Sequence, residues 1–224
     1  MGTGPQRSDD ADLADVVVVG AGPTGLALAA QLIAHGIRPR IVDRTDDRVH
    51  ESRALAIQPR TLEVLAGLGI TDELLAEGNP AVQLRLHARE KVIRVQLFDF
   101  GLADTEYPYL LFLSQAETER ILVEHLDRAG VSVERGVEVT GLRLDGDGVI
   151  ATLRGDDGDD ESVRARYVVG CDGAHSIVRR AAQIDFAGSS YPQTFVLADL
   201  EADGLEPGAA HAFLTEMGLL FFFP

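Results

Sequence analysis

Two short stretches hold residue types at spacings suited to chemistry. In "DVVVVGAGPTGLALAAQL", Asp15 to Leu32, the residues Gly20, Gly22 and Gly25 stand at the G-x-G-x-x-G spacing with Pro23 between them. A first glycine permits the tight turn off a strand. A second removes the side chain that would hold back a pyrophosphate, and a third lets helix and strand pack closely. The helix beginning there offers free N–H groups and roughly half a positive charge to phosphates. Asp43 closes the next apolar run, "RPRIVD", 18 residues beyond Gly25. That is close to the ~20 expected of the acid that accepts hydrogen bonds from the ribose hydroxyls of an adenosine. Glycine-rich turns also serve tight packing alone, and a turn aspartate can simply be solvated. A strand before, a helix after and an acid at the end of the next strand together favour dinucleotide binding.

The second stretch is "YVVGCDGAHSIVRR", Tyr167 to Arg180. A valine-rich run, expected to be a buried strand, ends at Gly170. Asp172 and Gly173 follow, and then a basic segment. A carboxylate and two glycines at the carboxyl end of a strand suit a close approach to a ligand at the edge of an open α/β sheet.

The elements that would position these residues are legible in outline. Val16 to Val19 form a continuous β-branched run, as in a parallel strand covered on both faces. "TGLALAAQLIAHG" has helical spacing and a glycine stop at Gly36. The following strand makes a strand-helix-strand unit, whose crossover is right-handed and whose strands are parallel. "PRTLEVLAGLG" is expected to be a helix with Leu62, Leu65 and Leu68 on one side, and "TDELLAEG" a short helix. "VQLRLHAREKVIRVQLF" alternates, which predicts an antiparallel hairpin turning near Glu90. "SQAETERILVEHLDRAG" carries a capping box of Ser114 and Glu117 and a stop at Gly130. From Val131 to Gly170 several strands are expected, joined by acidic turns, with "GDDGDDE" as a hairpin tip. The last run predicts further antiparallel strands. It ends on "GLLFFFP", an apolar strand with no later segment to pair with, so the chain is expected to be the N-terminal part of a longer protein.

Bulk properties narrow the function classes. The net charge of −16 comes from 36 acidic against 20 basic side chains, of which only Lys91 is lysine. Such a chain repels phosphate backbones and anionic bilayers, so neither nucleic acid nor membrane is an expected partner. Cys171 is the single cysteine, so no intramolecular disulfide can form; Cys171 itself is expected to pack as a small core residue. No apolar run has the length of a membrane span, and the opening segment lacks the centre of a signal peptide. The expected location is cytoplasmic. The six histidines show no paired ligand spacing, and no metal is expected.

Three segments in order after "GAGPTGL" narrow the cofactor: "DRTDDRVHESRALAIQPRTLEVLAGLGI", "LSQAETERILVEHL" and "YVVGCDGAHSIVRR". Over roughly residues 14 to 188 the chain resembles the FAD-dependent aromatic hydroxylases, the group A flavoprotein monooxygenases. The resemblance implies that Gly20, Gly22, Pro23 and Gly25 approach the FAD pyrophosphate and that Asp43 binds the adenosine ribose. Arg44 would lie along the adenine, and Arg53 would reach the pyrophosphate and flavin side. Gln115 would hydrogen-bond the ribityl chain. Asp172 and Gly173 match the family's Asp-Gly motif, which serves FAD and NAD(P)H, and Arg179 its terminal arginine. Arginine suits these places because it pairs bidentately with phosphate and stacks on rings. Arg53 as a surface ion-pair former and Gln115 as a solvent-facing turn residue are the competing readings.

The implied fold class is α/β: a Rossmann-type FAD-binding domain with a parallel sheet, interleaved with an incomplete β-rich, antiparallel substrate domain. The expected boundaries are a disordered lead at 1–13, the FAD-binding domain at 14–80 and 114–186, and the partial substrate domain at 81–113 and 187–224. The implied activity is hydroxylation of a phenol- or polyketide-like ring by O₂, through a flavin hydroperoxide, with NAD(P)H as co-substrate. No residue stands out as an acid or base for the substrate. The family's third flavin motif, a Gly-Asp segment, would lie past Pro224. The alternatives are a non-catalytic flavin-binding fragment, or a reductase or halogenase of the wider fold. The halogenases usually carry W-x-W-x-I-P, and this chain has no tryptophan.

Overall fold

The computed structural model describes residues 13–47, 54–89, 91–97, 104–189, 191–192, 194, 196–198, 203–204, 208–216 and 218–223. In chain order the elements are β1 (Leu13–Val19), α1 (Pro23–Ala34), β2 (Arg40–Val42), β3 (Ala56–Ile57), α2 (Pro59–Ala66), α3 (Thr71–Glu77), β4 (Asn79–Ala81), β5 (Gln83–Ala88) and β6 (Lys91–Gln96). They continue with β7 (Leu110–Phe112), α4 (Gln115–Arg128), β8 (Val133–Glu134), β9 (Glu138–Asp145), β10 (Gly148–Arg154), β11 (Asp160–Gly170), α5 (Ile177–Ala181), β12 (Ala209–Thr215) and β13 (Gly218–Phe222). The chain divides into two compact units, Met1–Arg48 with Leu122–Ser190 and Val49–Ile121 with Tyr191–Pro224.

The first unit is built on a six-stranded sheet in the order β8-β2-β1-β11-β10-β9. Its first four strands run parallel, and β11, β10 and β9 form an antiparallel meander. The parallel half follows from β1-α1-β2, since a helix between two strands returns the chain to the same edge. Val16 to Val19 are all at most 6% exposed, as a continuous valine run covered on both faces requires. Val17, Val19 and Val42 form one core with Val139, Ala151, Leu153, Val163 and Ala165. At roughly 1.5 kcal/mol or more per buried valine, this core provides the platform that holds the strand ends.

Arg40 on β2 ties the sheet together by donating to both oxygens of Glu134 on the adjacent β8 and of Glu161 on β11, two strands away, at 2.7–2.8 Å. The helix α1 stops as expected, with Gly36 at φ +77°. The acidic "GDDGDDE" is a hairpin tip, with Arg154 opposite Asp160. The run at Tyr167 is not a buried strand. Tyr167 is 63% exposed and Val168 and Val169 are half-buried, because β11 buries only Val163 and Ala165, on one face of its middle.

The second unit holds a four-stranded sheet, β13-β12-β5-β6, and a three-stranded one, β3-β7-β4. The expected hairpin is present as β5-β6, with Ala88 opposite Lys91 and Arg89 at φ +54°; Glu90 lies outside the described residues. The β12-β13 pair is also antiparallel, and the two hairpins join through a parallel β5-β12 pair. "GLLFF" therefore does find a partner, β12, which the sequence supplies just upstream. Leu62 and Leu65 of α2 are buried, but the helix ends at Ala66 and Leu68 falls outside it. At the start of α4, Ser114 Oγ accepts from Glu117 N–H at 3.2 Å. The returning half of a capping box is replaced, because the Glu117 carboxylate accepts from Arg120 Nε at 2.7 Å.

Candidate functional site

In the first unit the two glycine-bearing junctions meet. β1 and β11 are adjacent and parallel, with Val19 beside Gly170, so both strands end at the same sheet edge. From β1 the chain winds through α1 to β2 and β8 on one side, while β11 lies on the other. The strand order therefore reverses between β1 and β11. Such a reversal opens a crevice outside the carboxyl ends of the strands, the usual ligand position in open α/β sheets.

Backbone contacts lock this edge. Cys171 N–H donates to Val19 O at 2.7 Å, and Gly20 N–H to Val42 O at 2.8 Å. Gly20 sits at φ +100°, and a Cβ there would stand 2.5 Å from the Cys171 carbonyl oxygen and 3.0 Å from the Asp172 Cα. A Cβ on Gly25 would stand 1.9 Å from the Gly20 carbonyl oxygen. These two glycines are demanded by the protein's own packing.

Gly22 is different. Its backbone is ordinary, φ −76° and ψ 180°, and a Cβ there would meet no atom within 4 Å. Among the described residues nothing asks for glycine at position 22, and its open side leaves room for a ligand to approach the loop. Gly22 is also the N-cap of α1, where no side chain caps the helix, Pro23 occupies the first turn and no acid is present. The first turn of the helix thus carries no side-chain cap and no acid of its own, as suits an anion.

Asp43 follows β2 and is tied to the same loop. One carboxylate oxygen accepts from Ala21 N–H at 2.6 Å, and the other from Thr45 N–H at 2.9 Å and Thr45 Oγ1 at 2.6 Å. Burial pushes this carboxyl up. The hydrogen bonds from the Thr45 hydroxyl, Ala21 N–H and Thr45 N–H, aided by the Arg135 guanidinium, outweigh it and hold Asp43 below its ordinary value. A carboxylate offers about four acceptor positions, so capacity remains for ribose hydroxyls. Arg44 lies next along this bend and is exposed.

On the β11 side, one Asp172 oxygen accepts from Ile177 N–H at 2.6 Å at the start of α5. The other is buried and, among the described residues, has no hydrogen-bond partner. Gly173 has φ +73° and open space where a Cβ would be. Arg179 turns back on its own segment, donating to Ala174 O at 2.8 Å and lying 4.6 Å from the Phe186 ring centroid. Burial, with the Asp172 carboxylate alongside, pushes the Cys171 thiol up.

The structure therefore brings Gly20, Gly22, Pro23, Gly25, Asp43, Asp172 and Gly173 to one sheet edge, with Arg44 and Arg179 on its flanking segments. Gln115 belongs to the second unit, where its side-chain amide donates to Glu119 at 2.8 Å and Glu119 is only 2% exposed. Arg53 lies outside the described residues. Sequence reasoning missed Thr45 and Arg135 as supports of Asp43. The D-x-T spacing, which favours a side-chain turn two residues on, was the available signal for Thr45. It also missed His87 and His211 of the second unit, whose ring nitrogens lie 3.1 Å apart. No group of three or more His, Cys, Asp or Glu among the described residues could hold a metal ion. Nor, among those residues, is any helix long and apolar enough to cross a membrane.

The model of the family described as "FAD binding domain" matches residues 13–217. The 6-methylpretetramide 4-monooxygenase of Streptomyces rimosus is 39% identical over 217 residues, covering 96% of this chain and 38% of that protein. The crystal structure of p-nitrophenol 4-monooxygenase from Pseudomonas putida superimposes with a TM-score of 0.74 at 29% identity, over 80% of this chain and 46% of that one. A flavin-dependent monooxygenase, PieE, solved with FAD and substrate, gives a TM-score of 0.71 at 30% identity over 79% of this chain and 33% of that one. The chain spans about two fifths of the length of the curated relatives it matches. With two strand–glycine–helix junctions meeting at one sheet edge and a family match across nearly its whole length, this chain belongs to the FAD-binding aromatic-hydroxylase family, the group A flavoprotein monooxygenases.

Proposed function

We propose that the protein is an FAD- and NAD(P)H-dependent monooxygenase that hydroxylates a small phenol- or polyketide-like ring with O₂. The observation that carries this reading is the open side of Gly22 at an uncapped helix end, beside the Gly20–Cys171 contact. Gly20, Gly22, Pro23 and Gly25 shape the pyrophosphate cradle, and the first N–H groups of α1 donate to it. Asp43 orients the adenosine ribose, held by Ala21 and Thr45, while Arg44 flanks the adenine. The buried oxygen of Asp172 that has no partner among the described residues suits a hydroxyl donor of the cofactor's sugar chain, and Gly173 leaves space for its approach. Arg53, Gln115 and Arg179 complete the set by family resemblance. FAD, when bound, supplies reduction by NAD(P)H and the activation of O₂; the protein binds, orients and excludes water.

Relatives acting on 6-methylpretetramide and p-nitrophenol support an aromatic substrate class. Titration of the purified chain with FAD, followed by flavin fluorescence and melting temperature, tests the binding half. Saturable 1:1 binding with a raised melting temperature is expected, and a flat response at both readouts would refute it. NAD(P)H consumption that rises on addition of phenols tests the catalytic half. Consumption indifferent to every phenol offered would overturn it.

A further inference from the structure

The four-stranded sheet of the second unit has two outer edges that differ in kind. Its order is β13-β12-β5-β6, so β6 and β13 each show a row of backbone donors and acceptors that no described strand pairs with. On β6 the exposed side chains of Lys91 and Arg94 interrupt the apolar ones. Charges of that kind keep an edge strand from pairing with another chain. On β13, Gly218–Phe222, there is neither a charge nor a proline. Its register with β12 runs unbroken from Thr215–Gly218 to His211–Phe222, so no bulge turns this edge away. Leu219, Leu220, Phe221 and the following Phe223 are each 42–52% exposed, and the Phe221 and Phe223 rings stack with centroids 5.7 Å apart.

We propose that β13 pairs with β13 of a second copy of this chain, antiparallel and about a two-fold axis at Leu220, the midpoint of the strand. The two four-stranded sheets then join into one of eight strands. Directly opposed residues share a face, so Leu220 meets its own counterpart, Leu219 meets Phe221 and Gly218 meets Phe222. A Cβ at Gly218 would meet no atom within 4 Å, which leaves room for an aromatic ring beside it. Charge selects this arrangement over its rivals. The charge nearest to β13 along the chain is Glu216. In the antiparallel pair the two Glu216 residues stand roughly 25 Å apart along the strands, well past the ~8 Å screening length of physiological salt. A parallel pair would set them side by side. Pairing β6 with β6 would crowd Lys91 and Arg94 against their own copies. Pairing β13 with β6 would leave an open edge at each end and grow without closing. Area sets the strength. At roughly 200 Å² per residue, the exposed halves of the four apolar side chains come to ~400 Å² per copy, about half of a standard interface. With the main-chain hydrogen bonds of the added strand, that suits a reversible dimer with a Kd on the order of 10 μM. The pairing needs neither flavin nor substrate.

Sedimentation equilibrium of the whole chain, across concentrations on both sides of that Kd, is the first test. A monomer–dimer equilibrium is expected, and added salt should tighten it, because a net charge of −16 on each copy opposes association. A chain that stays monomeric throughout leaves the edge to a different partner and overturns the proposal. A ladder of larger species overturns the two-fold closure. Leu220→Cys locates the axis, since opposed Cβ atoms of a strand pair lie close enough to form a disulfide. Val92→Cys is its control, equally exposed at 53% but on the charged edge. Under mild oxidation a covalent dimer is expected from Leu220→Cys and not from Val92→Cys or wild type, whose one thiol is Cys171. No covalent dimer, or equal yields from the two variants, overturns the pairing. Leu220→Lys would set two cations face to face at the axis and should weaken the dimer at least tenfold. An unchanged Kd in that variant overturns the proposal, and the cysteine pair decides it should Leu220→Lys not fold.

Discussion

Gly22→Val separates ligand contact from folding at a single position. Its Cβ would meet no protein atom within 4 Å, and its extended backbone suits any residue. The folded chain should therefore lose only the N-cap preference for glycine, about 1 kcal/mol, and melt within roughly 2–4 °C of wild type. An isopropyl group at the N-cap of α1 would hold the pyrophosphate away from the first helical N–H groups. Loss of two charge-assisted hydrogen bonds at roughly 1.5 kcal/mol each comes to ~3 kcal/mol, or ~100-fold in Kd. Gly25→Ala is the contrasting control, because its Cβ would stand 1.9 Å from the Gly20 carbonyl oxygen. Overpacking of that kind costs about 3 kcal/mol and lowers the melting temperature by roughly 10 °C. The assay is FAD fluorescence titration beside thermal melting for both variants. Wild-type affinity in Gly22→Val would refute the pyrophosphate assignment, and a melting loss matching Gly25→Ala would refute the packing reasoning.

Asp43→Asn should lower stability by about 1–3 kcal/mol at neutral pH, since an amide cannot accept at both oxygen positions. The wild-type carboxyl is held below its ordinary value of 3.8, so its stabilising contribution is complete above that value and fades as pH falls through the lower folded one. The melting-temperature gap between wild type and Asp43→Asn should close in that acid range; a gap constant down to strong acid would contradict the hydrogen-bond account. Cys171, with its thiol pushed up by burial and Asp172, should react with iodoacetamide at mildly alkaline pH more slowly than a free cysteine. Equal rates in the folded and urea-unfolded chain would show that the thiol is not shielded.

The legible parts were those whose cause is local. A valine run, a glycine turn with φ +100°, a helix stop at Gly36 and an acid ending the next strand each follow from a few consecutive residues. Hairpin tips at Arg89 and at "GDDGDDE" are local for the same reason. The capping box was half right, because Glu117 had a competing partner one turn on in Arg120. Tyr167 was misjudged because its run is apolar in composition, while exposure depends on what covers the strand end.

By itself the sequence determined that a strand, a glycine loop and a helix end would form at Gly20 to Pro23, and that a carboxylate and glycine would follow the run ending at Gly170. Backbone conformation and helix signals act over a turn or less, so their residues carry the information on the spot. Only the tertiary structure decided that the two junctions share one edge, that Gly20 and Gly25 serve packing while Gly22 faces open space, and that Thr45 and Arg135 hold Asp43. It also decided that His87 and His211, separated by 124 positions, hydrogen-bond across neighbouring strands. Strand order and parallel register set those meetings, and they depend on burial summed over the whole sheet, which no short stretch of chain encodes.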